Sequence, residues 1–569
     1  MNAILIHANN LSPFFVDKFP GDKVVIDYSQ SIQRWNFNLD RFLHEELSNA
    51  FKNHEYKVIF ISYTLSQQNY LELTGLHIAA HIRLTCEFNH QHTPIVFIGP
   101  ETPWEIAKLS EFSNILFTHG IFYTDKLDIG SIQNQYNWII EKKPKLTDEE
   151  LTKSIKRLQI IPPANYQSHH SIDNELALLR WSEYLQCDRQ ISEVKENLKT
   201  GLYFKYHRVL NPVKPSKTGT PYLISGEGKV LLIDDEAEKG WEDFYKCFFQ
   251  YNINNKSIQF ETLKLDFKSS TQENIIKEAC CKVTEFYPDI VLLDLRLCDK
   301  DFNTNPQSEP KDFTGYKILE EIKKINKGIQ VIITTASNKV WNYQSAYDVG
   351  ANGYLIKKGD SDVAEDIKNI KHIVETNLIR AGYLKCTCKK IDSLRNSLDS
   401  GIRHKKINRN FGKELINLLE ISFRMYDNVR TKEDFAYAYL ALFKCLELIA
   451  DEYTFTDCGI WQVVGPTPLN HYSWDDQMKK YKKIDPPGFK NGIPTTFEKI
   501  AALSFQLWKY KDTDVQQLYY SIKRRNEFIH PSEKDLSEKL KEECKRIYNH
   551  EGYFVLLKQI SDIVNKITQ

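Results

Sequence analysis

The chain has 569 residues, 41% hydrophobic and 26% charged, ordinary for a soluble globular protein with length for three or four domains. Lys+Arg and Asp+Glu both number 75, so no overall field draws the chain to nucleic acid or membrane, and any such contact needs a local basic patch. No apolar run reaches the roughly 18 residues that span a bilayer, and Met1 to Asn10 lacks the basic start and long apolar stretch of a signal peptide. The 11 cysteines are scattered; only Cys280–Cys281 and Cys386–Cys388 lie close together, without a second Cys/His pair at zinc spacing. They read as structural residues of a reducing cytoplasm.

Four regions follow in chain order. Residues 1–145 alternate helix-like stretches with apolar strands expected at Ala3–Ile6, Lys57–Ile61, Ile95–Gly99 and Asn114–Phe117, the pattern of an open parallel α/β layer. Residues 146–228 read as a helical connector, with helical apolar spacing at Asn174–Leu185 and a proline- and glycine-rich linker at Asn211–Gly228. A second α/β block occupies 229–375. Residues 376–569 read as helices, Thr431–Tyr453 being one amphipathic helix, broken by a proline- and glycine-containing loop at Gly459–Thr496.

The two α/β blocks resemble each other. Ile59–Leu65 (IFISYTL) parallels Val291–Leu297 (VLLDLRL), and each is followed by a Thr-Gly pair opening a helix, Thr74-Gly75 and Thr314-Gly315. An internal repeat points to two copies of one fold.

Only the second copy carries reactive groups. One apolar strand, from Val230, ends in Asp234, Asp235 and Glu236, and another, from Pro288, ends in Asp294. Ligands of a parallel sheet bind beyond the carboxyl ends of its strands, and acids converging there need a compensating cation, for which Mg²⁺ with its preference for oxygen is suited. A third strand ends in the hydroxyls of Thr334 and Thr335, and a fourth, from Gly353 through Tyr354, ends in Lys357. Carboxylate nucleophile, hydroxyl and ammonium beside a metal are what phosphoryl transfer to a carboxylate requires.

From Lys229 to Gly359 these motifs resemble the receiver domain of bacterial response regulators. The resemblance implies a flavodoxin-like doubly wound sheet and Mg²⁺ held by Asp234, Asp235 and Asp294. It makes Asp294 the phospho-acceptor, Thr335 the switch hydroxyl, Tyr354 the switch aromatic and Lys357 the conserved-type lysine. Its partner would be a histidine kinase or phosphotransfer protein. Two features depart from the pattern: Lys358 replaces the usual proline after the lysine, and the loop Cys298–Phe313 is long and expected to lie over the site. In the first block the matching positions are His7, Ala8, Ser62 and Gly99, so that half reads as a degenerate receiver serving for docking or dimerisation, the alternative being a repurposed small-ligand pocket.

Near the end, Arg525, Asn526 and His530 share one late helix, which Pro531 is expected to terminate. The spacing resembles the Arg-x4-His motif of HEPN domains, which implies an RNA-directed, metal-independent output that pairs as a homodimer in stress or antiphage defence. The competing expectation is that Arg525 pairs with a nearby carboxylate and His530 caps its helix. Arg403, Lys405, Lys406, Arg409 and Lys413 form a basic stretch, fit for an RNA backbone or simply for solvent. No DNA-reading module stands out. The expected function is that of a phosphorylated response regulator controlling a helical output, the alternative being a non-enzymatic phosphate sink or adapter.

Overall fold

The computed structural model describes residues 1–8, 10–29, 31, 37–65, 70–142, 145–162, 169–188, 191, 196–214, 224–250, 258–302, 310–336, 340–359, 362–465, 467–475, 477–530 and 537–569. Much of the expected linker, the middle of the long loop after Asp294, and Pro531 lie outside these residues.

Two parallel five-stranded sheets carry the α/β blocks. The first comprises β1 (Ala3–His7), β2 (Asp22–Val25), β3 (Val58–Ser62), β4 (Ile95–Ile98) and β5 (Ile121–Thr124), in the order β2-β1-β3-β4-β5. The second comprises β6 (Gly228–Ile233), β7 (Ile258–Thr262), β8 (Ile290–Leu293), β9 (Gln330–Thr335) and β10 (Gly353–Ile356), in the order β7-β6-β8-β9-β10. Both are flavodoxin-like arrangements with the same strand order. β1, β3, β4, β8 and β9 are buried along their whole length, as strands covered by helices on both faces must be.

The repeat read from sequence has a physical basis. Ile6 pairs with Ile61 and Ile233 with Leu293, so His7 and Ser62 occupy the strand ends that Asp234 and Asp294 occupy in the second sheet. Gly75 N–H donates to Tyr63 O at 2.9 Å, and Gly315 N–H donates to Leu295 O at 3.1 Å. A Cβ at Gly75 would lie 2.0 Å from Ser62 O, and one at Gly315 2.3 Å from Asp294 O. Each helix therefore starts against the carbonyl of the strand-end residue, an approach only glycine permits.

Some expectations are corrected. Asn114–Phe117 belongs to a 3₁₀ helix, Glu111–Phe117, and the fifth strand is Ile121–Thr124. The edge strands β2 and β7 were not anticipated. The region read as helices broken by a loop contains β structure: β11 (Thr454–Asp457), β12 (Ile460–Val463) and β13 (Thr467–Pro468) form an antiparallel sheet, and β14 (His471–Asp475) pairs with β15 (Lys480–Ile484).

The helices that matter to the argument are α1 (Leu39–Phe51), α2 (Thr74–Leu84), α3 (His169–Leu185), α4 (Leu202–Leu210), α5 (Trp241–Gln250), α6 (Thr314–Ile325), α7 (Val363–Arg403), α8 (Arg409–Asp427), α9 (Lys432–Glu452), α10 (Asp512–Ile529) and α11 (His550–Thr568). In the connector, α3 packs Leu178 and Trp181 into the core of the second block, while α4 seats Leu202 in the core of the first. The helix expected at Thr431–Tyr453 is α9 with those two residues as its caps, Thr431 accepting from Asp434 N–H.

α7 runs unbroken for 41 residues across the expected boundary at 375. Its first half buries Ile367, Val374 and Leu378 against the second sheet, and its second half buries Leu384, Ile391 and Leu398 in the C-terminal core. Lys385 fixes the crossing point, reaching Asp289 Oδ1 at 2.7 Å and Tyr287 O at 3.0 Å. Among the described residues no helix is long and apolar enough to cross a membrane.

Candidate functional site

β6 ends by delivering Asp234 and Asp235, β8 by delivering Asp294, and β10 by delivering Lys357 to the same sheet edge. Asp234 and Lys357 are each 1% exposed. Lys357 Nζ donates to Asp234 Oδ2 at 2.7 Å and lies 3.6 Å from Asp294 Oδ2. Each of the three aspartates offers an oxygen, and these oxygens lie within 4.8 Å of one another. Local backbone fixes two of them: Asp234 Oδ1 accepts from Glu236 N–H at 2.8 Å and Asp294 Oδ1 from Arg296 N–H at 3.3 Å.

Charge is unbalanced here. Burial first, then the charges of Asp234 and Asp294, push the Asp235 carboxyl up to about 8. Burial likewise pushes Asp294 up to about 7, although Lys357 pulls the other way. Burial opposes charge on Lys357, but Asp234 and Asp294 outweigh it and hold the ammonium protonated. The Lys357 ammonium also lies 4.4 Å from the centre of the Trp241 ring on α5. One lysine among three acids, all donors being oxygen, fits a hard divalent cation with coordination positions to spare.

Thr335 and Tyr354 are both buried, Thr335 closing β9 and Tyr354 lying within β10. Lys357 N–H donates to Thr335 O at 2.8 Å, tying the hydroxyl strand to the lysine strand. Burial pushes the Tyr354 phenol well above its ordinary value, so it stays neutral. The Lys357–Lys358 bond is trans, since Asp485–Pro486 is the cis bond among the described residues. The long loop is tethered at both ends by the buried Asp301, which accepts from Leu297 N–H at 2.9 Å, Cys298 N–H at 3.2 Å and Thr314 N–H at 3.0 Å.

Sequence reasoning missed the connector's part in this site. From α3, Asn174 hydrogen-bonds Glu236 and Arg180 donates to Gly359 O, while Trp181 meets Trp241 edge to face at 5.6 Å. The apolar spacing of Asn174–Leu185 announced a buried helix face. It did not say which block that face covers.

Among the described residues, the equivalent edge of the first block has no acid cluster. His7 is buried with both ring nitrogens unpartnered, and Ser62 Oγ accepts from Asn10 Nδ2 at 2.9 Å. Tyr63 stacks on Phe97 at 5.2 Å and approaches Gly99 so closely that a Cβ there would meet its ring at 2.4 Å.

At the other end of the chain, Arg525 has the carboxylate partner that the competing expectation named. Its guanidinium lies 3.1 Å from Glu447 Oε1 of α9, donates to Asn526 Oδ1 at 3.0 Å, and sits 5.4 Å from the centre of the Phe443 ring. His530 is exposed and is the C-cap of α10, its N–H donating to Asn526 O at 2.7 Å. In the basic stretch, Lys405, Lys406 and Arg409 are exposed and Lys406 Nζ donates to Gln569 O at 2.5 Å. Cys386 is exposed and Cys388 buried on α7.

Residues 10–124 match the family described as the inactive receiver domain. That match covers the first block, whose equivalent positions lack carboxylates. Among solved structures, a LuxR-family two-component response regulator from Aurantimonas sp. is 21% identical, over 26% of this chain and 86% of its own, with a TM-score of 0.18. A two-component response regulator/GGDEF domain protein is 11% identical, over 66% of this chain and 98% of its own, also with a TM-score of 0.18. No curated protein sequence matches the chain.

Proposed function

We propose that this chain is a two-component response-regulator-type signalling protein in which Asp294 takes a phosphoryl group from a histidine kinase or phosphotransfer protein. The observation that carries the proposal is the convergence of Asp234, Asp235 and Asp294 within 4.8 Å, with Lys357 2.7 Å from Asp234 and 3.6 Å from Asp294. An ionised Asp294 oxygen attacks phosphorus, the bond to the phosphohistidine nitrogen breaks, and its electron pair returns to the imidazole. Lys357 lies where it can neutralise a phosphoryl oxygen, and Thr335 supplies a hydroxyl at the neighbouring strand end. Asp234, Asp235 and Asp294 would hold Mg²⁺, which when bound supplies further positive charge against the same oxygens.

The first block, in this reading, is a receiver fold that has given up chemistry for docking. The output is the C-terminal helical region, with Arg525, Asn526 and His530 as a HEPN-like group acting on RNA and α7 as the rigid link from the phosphorylated block. Wild type should cleave RNA in its phosphorylated or its unphosphorylated state, while Arg525→Ala or His530→Ala loses cleavage and keeps Asp294 labelling. RNA left intact by wild type, phosphorylated or not, rejects the nuclease half.

One observation favours a second reading, an adapter or phosphate sink without nuclease activity: Arg525 is already neutralised by Glu447 and His530 serves as a helix cap. If Asp294→Asn alters a partner kinase's output in the cell and His530→Ala does not, the adapter reading holds.

A further inference from the structure

The first block carries a second cluster of ligating side chains, remote in sequence from the degenerate strand ends and unconnected with phosphoryl transfer. His77 and His81 stand four residues apart on α2 and share one face. Asp40, in the first turn of α1, reaches between them: its Oδ1 lies 2.8 Å from His77 Nε2 and 3.2 Å from His81 Nε2. His81 is fully buried, and His77 and Asp40 are each 18% exposed, so the group keeps limited contact with solvent.

We infer that Asp40, His77 and His81 form a site for a borderline divalent transition ion, Zn²⁺ in the first place. In a tetrahedral zinc site, bonds of about 2.0–2.1 Å place neighbouring donor atoms roughly 3.3 Å apart. The two separations from Asp40 Oδ1 fall short of that by about 0.5 Å or less, and all three donor atoms lie within 4.8 Å of one another, so an ion is admitted by a small adjustment of the three side chains. Two imidazoles and one carboxylate, with a fourth position open to water, are a donor set that favours Zn²⁺ over the oxygen-seeking Mg²⁺.

The surroundings already fix the ligands. Asp40 Oδ2 accepts from Leu202 N–H at 2.7 Å, which leaves Oδ1 aimed at the histidines. The His77 ring stacks on Phe112 at 4.5 Å and against His81 at 5.5 Å, 16° from parallel. These contacts restrict the rotation of the His77 ring and of the Asp40 carboxylate, which keeps their donor atoms in place for an ion. Because Leu202 opens α4, a bound ion would tie α1 and α2 to the connector through Asp40.

One group opposes the ion. Lys205 of α4 is buried, with Nζ 3.0 Å from His81 Nδ1 and 2.9 Å from His44 Nδ1. Its charge competes with any cation at Asp40, so removing it should tighten binding.

The test is a Co²⁺ titration of the full chain in saturating Mg²⁺, followed by the visible d–d absorption of tetrahedral cobalt and then by displacement with Zn²⁺. We expect one Co²⁺ per chain with that absorption, tighter binding in Lys205→Met, and an unchanged spectrum in Asp294→Asn. His77→Ala, at a partly exposed position, should weaken binding by more than the roughly 10–100-fold that loss of an outer-shell partner costs. Circular dichroism checks that this variant is folded, and His77→Gln serves in its place if it is not. Absence of the cobalt spectrum in wild type, or its survival in the folded His77 variant, overturns the assignment.

Discussion

Replacing Asp235 by asparagine should stabilise the metal-free protein, although it removes a ligand. The carboxyl is moved from an ordinary value of 3.8 to about 8 by burial and by the neighbouring acids. The folded-state value lies above the unfolded one, so folding takes up a proton. The penalty for ionising Asp235 is nil below about pH 4, grows as pH rises and is complete above about pH 8. At 1.36 kcal/mol per unit, the interval between 3.8 and pH 7 is worth about 4 kcal/mol, and roughly half that where Asp294 shares the proton. Asn keeps the shape and discards the charge. Urea denaturation in EDTA should therefore place Asp235→Asn about 2–4 kcal/mol above wild type at pH 7, with the gap closing toward pH 4. Added Mg²⁺ should stabilise wild type and leave the variant unmoved. A variant equal to or weaker than wild type in EDTA at pH 7, or one that responds to Mg²⁺ as wild type does, would refute the charge argument.

Three further outcomes follow from the same geometry. Lys357→Met removes the cation from the three acids and should cost about 3 kcal/mol above pH 8, less near pH 6 where Asp235 and Asp294 carry protons, by denaturant titration. Gly75→Ala and Gly315→Ala each drive a Cβ into a backbone carbonyl and should each lower stability by about 2 kcal/mol or more, with Gly315→Ala also disturbing Asp294. Burial, chiefly, lowers His81 to about 3 and His44 to about 4, so both fold neutral and their unfolded forms take up protons first. The stability they contribute is complete above about pH 6.5 and is lost as pH falls toward 4. Acid unfolding of the first block, followed by hydrogen exchange of α1 and α2, should begin in that window; an onset below pH 4 would contradict it.

How much of this was legible in the sequence depends on burial. The central strands β1, β3, β8 and β9 each hold three or four consecutive apolar residues because both faces are covered, and such runs stand out. The edge strands do not: β2 reads Asp-Lys-Val-Val and is largely exposed, and β7 alternates Gln and Glu with apolar residues. Asn114–Phe117 misled because a short apolar run suits a packed 3₁₀ turn as well as a strand. In the C-terminal region, the period-two alternation of His471–Asp475 was masked by nearby glycine and proline, which suggest loop and also suit hairpins, and Lys480–Ile484, with Tyr481 and Ile484 three apart, carries no such alternation.

The acid site was readable because each reactive group sits directly at a strand end, where chain order alone predicts convergence. The Asp40 cluster was harder. His77 and His81 announce a shared helix face by spacing, but Asp40 lies 37 residues before His77 and only tertiary packing brings it there. The α3 helix gave its own amphipathic signal and nothing about Glu236 or Gly359. Arg525 and His530 illustrate the reverse: a suggestive spacing whose arginine the fold has paired with a carboxylate 78 residues away.

The most direct test of the account is intact-mass analysis of the full chain after incubation with acetyl phosphate, with Mg²⁺ and with EDTA, beside Asp294→Asn. The account predicts one added phosphoryl group in wild type with Mg²⁺, and none in EDTA or in the variant. A wild-type chain that stays unmodified, or an Asp294→Asn chain that is modified equally, would contradict it.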